Sequence, residues 1–137
     1  MVRIALDTNI LVSGLLYPGK PRKLIDLAVR GKIEIVSSVE MIEELRDVLS
    51  RGKFGLDKEE QAKMVDFVVR LSHITILKSK FNVIKDDPDD DVIINTAYDG
   101  EAEYIVSGDR AVLKLKLFGK ILVVKASDML KLKEEGN

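Results

Sequence analysis

The sequence predicts an α/β fold, a single domain in three layers, with helices on both faces of a central parallel sheet of about five strands. Short apolar segments recur along the chain, and longer segments with apolar residues at helical spacing lie between them. Strands and helices that alternate in this way are typical of a parallel sheet with right-handed crossovers. No repeat or linker interrupts the pattern, so we expect residues 1–137 to form one domain, with a core over 1–130 and a polar tail over 131–137.

Composition narrows the class of protein. Hydrophobic residues make up 46% of the chain and charged residues 33%, as in a globular protein. The formal net charge is −1, so any attraction to a nucleic acid has to come from local basic clusters. The chain has no cysteine, which excludes disulfides, thiolate metal sites and a cysteine nucleophile. The apolar segment at the amino terminus is too short to cross a bilayer, and we expect a cytoplasmic protein without a membrane anchor.

The first half of the chain predicts two strands and three helices. The first strand is strongly apolar and runs directly into Asp7-Thr8-Asn9, which suits the centre of a parallel sheet. Pro21 is placed to open a helix at its first position, and Ser38 is placed to cap another. The predicted elements are a strand over 2–6, a helix over 9–15, a helix from Pro21 to Gly31, a strand over 33–36 and a helix from Ser38 to Leu49.

The second half of the chain predicts three further strands. Asp57 and Glu60 have the spacing of a capping box, so a helix begins there. The residues that this helix is predicted to bury are Ala62, Val65, Val68, Val69 and Leu71. Pro88, with Asp87 as its cap, opens a helix that ends before Gly100. The other predicted elements are strands over 74–77, 104–106 and 121–124, a helical turn after Asp109 and a last helix capped by Ser127.

Four acidic residues are placed to share one site. Asp7 and Asp109 come directly after apolar strands, and if those strands are neighbours both carboxylates lie on one edge of the sheet. Glu44 and Asp90 lie on helices that start on the same side. Carboxylates that are brought together repel, and Mg²⁺ or Mn²⁺ is the cation that such oxygen ligands prefer. Attack of an activated water on a phosphodiester is the chemistry that fits this set.

Each of these acidic residues also has a structural interpretation. An Asp after a strand often forms a turn or caps a helix, which applies to Asp7 and to Asp109. Helix capping and compensation of the helix dipole also explain the acidic residues around Pro88, which are Asp87, Asp89 and Asp91. Periodicity does not decide whether Glu43 or Glu44 faces inward. At the level of the residues these alternatives stay open.

Four blocks of the sequence together resemble the PIN domain family. The blocks are Leu6-Asp7-Thr8-Asn9-Ile10-Leu11; Ser38 followed by Glu44-Leu45; Asp90-Asp91-Val92-Ile93-Ile94-Asn95-Thr96-Ala97; and Tyr104-Ile105-Val106-Ser107-Gly108-Asp109. They occur in the family's order across nearly the whole chain. Within the family, the sequence is similar to the VapC-type toxins of prokaryotic toxin–antitoxin pairs.

The resemblance implies a PIN-like fold and an endoribonuclease that depends on Mg²⁺ or Mn²⁺. The catalytic and metal-binding carboxylates that it implies are Asp7, Glu44, Asp90 and Asp109. Asp91 is adjacent and could share or replace the role of Asp90. The supporting polar residues that it implies are Thr8 or Asn9, and Ser107. We therefore expect RNA as the substrate, an antitoxin protein that covers the site, and a homodimer or higher oligomer.

Two further questions concern RNA binding and the class of enzyme. Arg51, Lys53 and Arg110 are the candidates for contacts with RNA phosphates, and ordinary solvated faces explain them equally well. A haloacid-dehalogenase-like phosphatase also opens with a strand and an Asp, but it needs a second Asp where this chain has Asn9. The remaining alternative is a PIN-like module that binds RNA or a protein without cleaving.

Overall fold

The computed structural model describes residues 1–84 and 90–135 of the protein. The strands are β1 (Arg3–Leu6), β2 (Glu34–Ser38), β3 (Ser72–Thr75), β4 (Tyr104–Val106), β5 (Leu117–Phe118) and β6 (Ile121–Val124). The helices are α1 (Thr8–Leu16), α2 (Lys20–Val29), α3 (Val39–Leu49), α4 (Lys58–Leu71), α5 (Asp91–Asp99), α6 (Arg110–Leu113) and α7 (Ala126–Glu135). A short 3-10 helix, Gly52–Phe54, lies between α3 and α4.

The strands form one sheet in the order β3-β2-β1-β4-β6-β5. β1 lies inside the sheet and pairs in parallel with β2 on one side and with β4 on the other. β3 and β6 continue the parallel pairing outward, whereas β5 runs antiparallel to β6. Between these last two strands, Gly119 has a φ of 59°, a left-handed conformation that glycine adopts without strain. The predicted fold class is confirmed, and the sheet has one short antiparallel strand more than the sequence predicted.

Helices cover both faces of the sheet, and the alternation of side chains along β1 divides the core between them. Ile4 and Leu6 belong to the cluster beneath α1, α2, α3, α4 and α7. Ala5 belongs to the cluster beneath α5 and α6, on the other face. Leu45 of α3 and Ile94 of α5 are fully buried, one in each cluster. Within 1–84 and 90–135, no helix is both long enough and apolar enough to cross a membrane.

Two helix caps that the sequence predicts are confirmed. The Oγ atom of Ser38 accepts a hydrogen bond from the backbone N–H of Met41 at 3.3 Å, so α3 begins where expected. The capping box of α4 is complete: Glu60 N–H donates to Asp57 Oδ1 at 2.8 Å, and Asp57 N–H donates to Glu60 Oε1 at 3.0 Å. Both caps follow from local sequence because each joins residues only three positions apart.

The predicted cap of the last helix is wrong by two residues. Met129 N–H donates to the carbonyl of Lys125 at 3.0 Å, so the helical hydrogen bonding starts before Ser127. α7 therefore begins at Ala126, with Lys125 in the cap position, and Ser127 lies in the first turn. The sequence also predicts a helix that begins at Pro88 with Asp87 as its cap. Both residues lie outside the described part of the chain.

The predicted third strand is displaced by two residues. The sequence predicts a strand over 74–77, but β3 spans Ser72–Thr75, and Thr75 pairs with Ser38 of β2. β3 is an edge strand, so its bounds depend on where β2 offers backbone partners and not on its own apolar residues. Ile76 lies beyond this pairing and is 77% exposed.

The buried stripe of α4 is narrower than the sequence predicted. Val65 and Val68 are buried, and Leu71 is half-buried. Ala62 and Val69 are exposed, because they lie on a side of the helix turned about 100° away from this stripe. α4 thus contacts the rest of the protein along one narrow line.

Candidate active site

The carboxyl ends of β1 and β4 meet at one edge of the sheet. The two strands pair with Leu6 opposite Val106, so Asp7 and Ser107 come next in the same row. Asp7 N–H donates to the carbonyl of Val106 at 2.9 Å, which extends the pairing to Asp7. After β1 the chain enters α1 on one face of the sheet, and after β4 it enters α6 on the other face. Helices that diverge in this way leave a crevice, which is where open α/β sheets bind ligands.

Ser107 connects two acidic residues of this crevice. Its hydroxyl donates a hydrogen bond to Asp7 Oδ2 at 2.6 Å and accepts one from the backbone N–H of Asp109 at 3.0 Å. Ser107 is fully buried, so little water competes for either bond. The hydroxyl therefore fixes the position of the Asp7 carboxylate relative to the backbone of Asp109.

Burial raises the pKa of the Asp7 carboxyl above its ordinary value. The hydrogen bond from Ser107 and the nearby amides of Asn9 and Thr8 favour the ionised form, but they offset burial only in part. The negative charge of Asp109 raises the pKa further, because two carboxylates in proximity repel each other. A cation placed between these two carboxylates would relieve both the burial penalty and the repulsion.

The raised pKa of Asp7 predicts how stability depends on pH. Between the ordinary and the raised pKa, the metal-free folded protein binds the Asp7 proton more tightly than the unfolded chain does. We therefore expect this carboxyl to lower the free energy of unfolding progressively as the pH rises through that interval. Urea unfolding in EDTA, from about pH 4 to about pH 8, tests this against Asp7→Asn, which cannot titrate. Parallel pH profiles for the two proteins would contradict it.

Helix capping accounts for part of Asp109 but not for Asp7. Asp109 Oδ1 accepts hydrogen bonds from Ala111 N–H at 2.8 Å and Val112 N–H at 3.3 Å, which caps α6. These bonds use one of the two carboxylate oxygens. Asp7 occupies the N-cap position of α1 but makes no capping hydrogen bond with its side chain. Its carboxylate is bound to Ser107 instead.

The two adjacent glutamates of α3 lie on different sides of the helix. Glu43 lines a shallow groove between α3 and α4. Glu44 is turned about 100° from it and lies three residues after Met41, so Glu44 and Met41 share one side. Met41 packs in the same core cluster as Ile94 of α5. Glu44 therefore lies on the flank of α3 that is nearer to α5.

A buried pair of hydroxyl groups, which the sequence did not reveal, joins α3 to α5. Ser38 Oγ lies 2.8 Å from Thr96 Oγ1, and both residues are fully buried. Thr96 interrupts an apolar stretch of α5, which is a signal, but its partner is 58 residues away along the chain. The pair holds together the helix that carries Glu44 and the helix that follows Asp90.

Mg²⁺ and Mn²⁺ fit the donors at this edge of the sheet. Among the described residues, no three His, Asp or Glu side chains form a complete metal site. Asp7 and Asp109 supply two carboxylates, and Mg²⁺ commonly binds one or two carboxylates while it keeps several waters. The raised pKa of Asp7 comes from burial and repulsion, which are the conditions that a bound cation relieves. The donor chemistry thus suits a hard divalent cation.

The remaining residues that the sequence singled out lie around and beyond this edge. Thr8 is buried in the first turn of α1, and Asn9 beside it is exposed. Arg110 is exposed at the start of α6. Arg51 and Lys53 follow the far end of α3, about 17 Å along the helix from its start. Of these five residues, only Thr8, Asn9 and Arg110 are therefore near the carboxyl ends of β1 and β4.

Comparison with known proteins identifies the family. The family model described as PIN domain matches residues 3–111, a range that includes all four sequence blocks with candidate carboxylates. Among solved structures, this chain is similar to a chain in the crystal structure of VapBC2 from Rickettsia felis, with a TM-score of 0.63. That structure contains VapBC2 bound to a DNA fragment from its promoter. The two chains are 18% identical over 89% of this chain and 97% of that chain, so the likeness concerns the fold. No curated protein matches. On the family match, the chain belongs to the PIN domain family.

Proposed function

We propose that this PIN domain protein is an endoribonuclease that hydrolyses RNA phosphodiester bonds with Mg²⁺ or Mn²⁺. The observation that carries the proposal is the arrangement of Asp7, Ser107 and Asp109 in the crevice at the carboxyl ends of β1 and β4. Glu44 on α3 and Asp90 before α5 are proposed to complete the set of carboxylates. Both belong to elements that the Ser38–Thr96 pair holds together.

The residues of the proposed site have two kinds of task, which are to hold the metal and to orient a metal-binding carboxylate. A divalent metal, when bound, would supply an activated water and a positive charge to stabilise the phosphate in the transition state. Asp7 and Asp109, together with Glu44 and Asp90, are the residues that would hold it. Ser107 donates a 2.6 Å hydrogen bond to the Asp7 carboxylate and so prevents it from rotating. Because burial raises the pKa of Asp7, loss of its proton and metal binding are coupled, and binding should weaken at acidic pH.

Three exposed basic residues are proposed to contact RNA phosphates. Arg110 stands closest in sequence to the proposed metal carboxylates. Arg51 pairs with exposed Asp47 at 3.6 Å, a surface ion pair weak enough for a phosphate to replace. Lys53 Nζ lies 5.1 Å from the centroid of the Phe54 ring. Local contacts of this kind are needed because the net charge of the chain is −1.

We also propose that the protein is the toxin of a toxin–antitoxin pair. The resemblance to VapC-type toxins and the similarity to a chain of the VapBC2 complex support this proposal. An antitoxin protein would then be the partner that covers the crevice, and a homodimer would be the expected assembly.

Metal-dependent cleavage of RNA is the experiment that tests the proposed function. Purified protein is incubated with a labelled single-stranded RNA in Mn²⁺, in Mg²⁺ and in EDTA. We expect cleavage with either metal, none in EDTA, and recovery when excess Mn²⁺ is added back. A direct Mn²⁺ titration accompanies the assay.

The two measurements together separate the alternatives. Protein that binds Mn²⁺ and RNA but leaves the RNA intact would favour the non-cleaving PIN-like module. If the protein neither binds Mn²⁺ nor cleaves RNA, the proposal is overturned. The carboxylates would then serve only as turn-forming and helix-capping residues.

A further inference from the structure

Residues 78–84, which follow β3, lie along α5 as a strap. Three side chains of α5, spaced four residues apart, bind the backbone of this strap, and these are Asp91, Asn95 and Asp99. The strap runs antiparallel to the helix, because its first residues are bound by Asp99 and its last by Asp91. Outside this row, the described residues of α5 include Ile93, Ile94 and Ala97, which belong to the core.

The far end and the middle of the strap are bound by the last two members of this row. Asp99 Oδ2 accepts hydrogen bonds from Lys78 N–H at 2.7 Å and Ser79 N–H at 2.8 Å, and its Oδ1 accepts from Ser79 Oγ at 2.5 Å. Asn95 Oδ1 accepts from Phe81 N–H at 2.8 Å, and its Nδ2 donates to the Phe81 carbonyl at 3.3 Å. Asn95 therefore binds the strap with both ends of its amide.

Asp91 binds the end of the strap nearest the start of α5. Its Oδ1 accepts hydrogen bonds from Val83 N–H at 2.9 Å and from Ile84 N–H at 2.8 Å. Asp91 is only 6% exposed, and Ile84 is buried equally deeply. The half-buried amide of Val83 and the buried amide of Ile84 would lose their acceptor if this carboxylate turned toward another partner, which is unfavourable.

The periods of the two elements match. Four residues of an α-helix advance about 6 Å, and two residues of extended chain advance about 6.6 Å. An acceptor on every fourth residue of α5 therefore meets every second amide of the strap, as observed at Ser79, Phe81 and Val83. Because the two spacings agree, the three side chains of the row can bind the strap at the same time.

Asp90 and Asp91 lie on different sides of this helix, about 100° apart around its axis. Ile94 and Ala97 face the sheet, and Asp90 precedes them by four and seven residues, so it shares their side. Asp90 has helical backbone angles, with φ −69° and ψ −20°, which extends the helical periodicity to it. Asp91 instead begins the row beneath the strap.

We infer that Asp91 is a positioning residue and not a metal ligand: by binding the strap it holds the first turn of α5, so that Asp90 is presented on the side of the sheet and the crevice. The part of this inference that concerns the metal rests on the proposed function. The part that concerns the strap rests on the hydrogen bonds alone.

Three variants of the full chain test the inference: Asp90→Asn, Asp91→Asn and Asp91→Ala. Asn at position 91 keeps an Oδ1 acceptor for both amides but loses the negative charge that strengthens the binding of a divalent cation. Mn²⁺ affinity is measured by calorimetry, and exchange of the Val83 and Ile84 amides by NMR. Asp99→Ala is the matched control, because it removes acceptors from Lys78 and Ser79 at the other end of the strap.

The variants are expected to separate the two roles. Asp90→Asn should weaken Mn²⁺ binding at least about tenfold with normal amide protection, and Asp91→Asn should change both within about twofold. Asp91→Ala should accelerate exchange of the Val83 and Ile84 amides about tenfold or more, which Asp99→Ala should not do. Rescue by Asn at a position where Ala fails is the signature of positioning.

Two results would overturn the inference. If Asp91→Asn weakens Mn²⁺ binding as much as Asp90→Asn does, Asp91 is a ligand. If Asp91→Ala folds and leaves the two amides as protected as before, it does not hold the strap. Wild-type protein that binds no Mn²⁺ would defeat the proposed function and the metal part of the inference together, while amide exchange would still decide the role of Asp91 in the strap.

Discussion

Asp7→Asn is expected to reduce RNA cleavage by about two to three orders of magnitude at saturating Mn²⁺, because it removes a half-buried negative charge from the proposed metal site. Asn keeps the size of the side chain and an oxygen that can accept from Ser107 Oγ, so the fold should survive. Single-turnover cleavage of a labelled RNA measures the effect. Asp66→Asn on α4 is the matched control, since Asp66 forms only an exposed ion pair with Arg70 at 2.9 Å.

The same substitution should act in the opposite direction on the metal-free fold. Burial and Asp109 raise the pKa of Asp7, so a neutral side chain at this position should make the protein at least as stable in EDTA at neutral pH. Mn²⁺ should then stabilise the wild type more than the variant, because a ligand that binds only the folded state raises its stability. Full cleavage by Asp7→Asn, or loss of its fold in EDTA, would contradict the role assigned to this carboxylate.

Gly100→Ala is expected to have the largest effect on stability among glycine substitutions in the described structure. A Cβ atom at position 100 would lie 2.1 Å from Val36 Cγ1 and 2.9 Å from the carbonyl oxygen of Thr96. Val36 is fully buried on β2 and Thr96 is held by its bond to Ser38, so neither can move away cheaply. Overpacking of this kind lowers the free energy of unfolding by about 1–3 kcal/mol.

Urea unfolding of Gly100→Ala and Gly52→Ala gives the test and its control. A Cβ atom at Gly52 meets nothing within 4 Å, and its φ is not left-handed, so the control should stay within about 0.5 kcal/mol of the wild type. Equal unfolding midpoints for the two variants would show that the contact between the end of α5 and β2 is loose. The outcome also bears on the site, because α5 follows Asp90.

Local sequence was sufficient wherever an element depends on its own residues. The capping box at Asp57 and Glu60, the cap at Ser38 and the buried strand that ends before Asp7 all rest on near neighbours, and the structure contains each of them. Elements at the edges of the sheet were less predictable. The bounds of β3 and the presence of the two-residue strand β5 depend on backbone partners in β2 and β6.

The candidate site shows the same division. The pattern of a strand followed by an Asp marked Asp7 and Asp109 from the sequence, and the order of strands in the sheet places them beside each other. The sequence could not distinguish Glu43 from Glu44. The packing of α3 separates these two, since one lines the groove toward α4 and the other shares the side of Met41.

Periodicity and side-chain chemistry were enough to predict the fold class, the helix caps at Ser38 and Asp57, and the residue types that can hold a divalent cation. The hydrogen bonds of Ser107 with Asp7, of Ser38 with Thr96 and of the strap with Asp91 are seen only in the folded protein. The physical reason is distance along the chain. Ser107 and Asp7 are 100 residues apart and Ser38 and Thr96 are 58 apart, so only the pairing of β1 with β4 and the packing of α5 on the sheet bring these partners into contact.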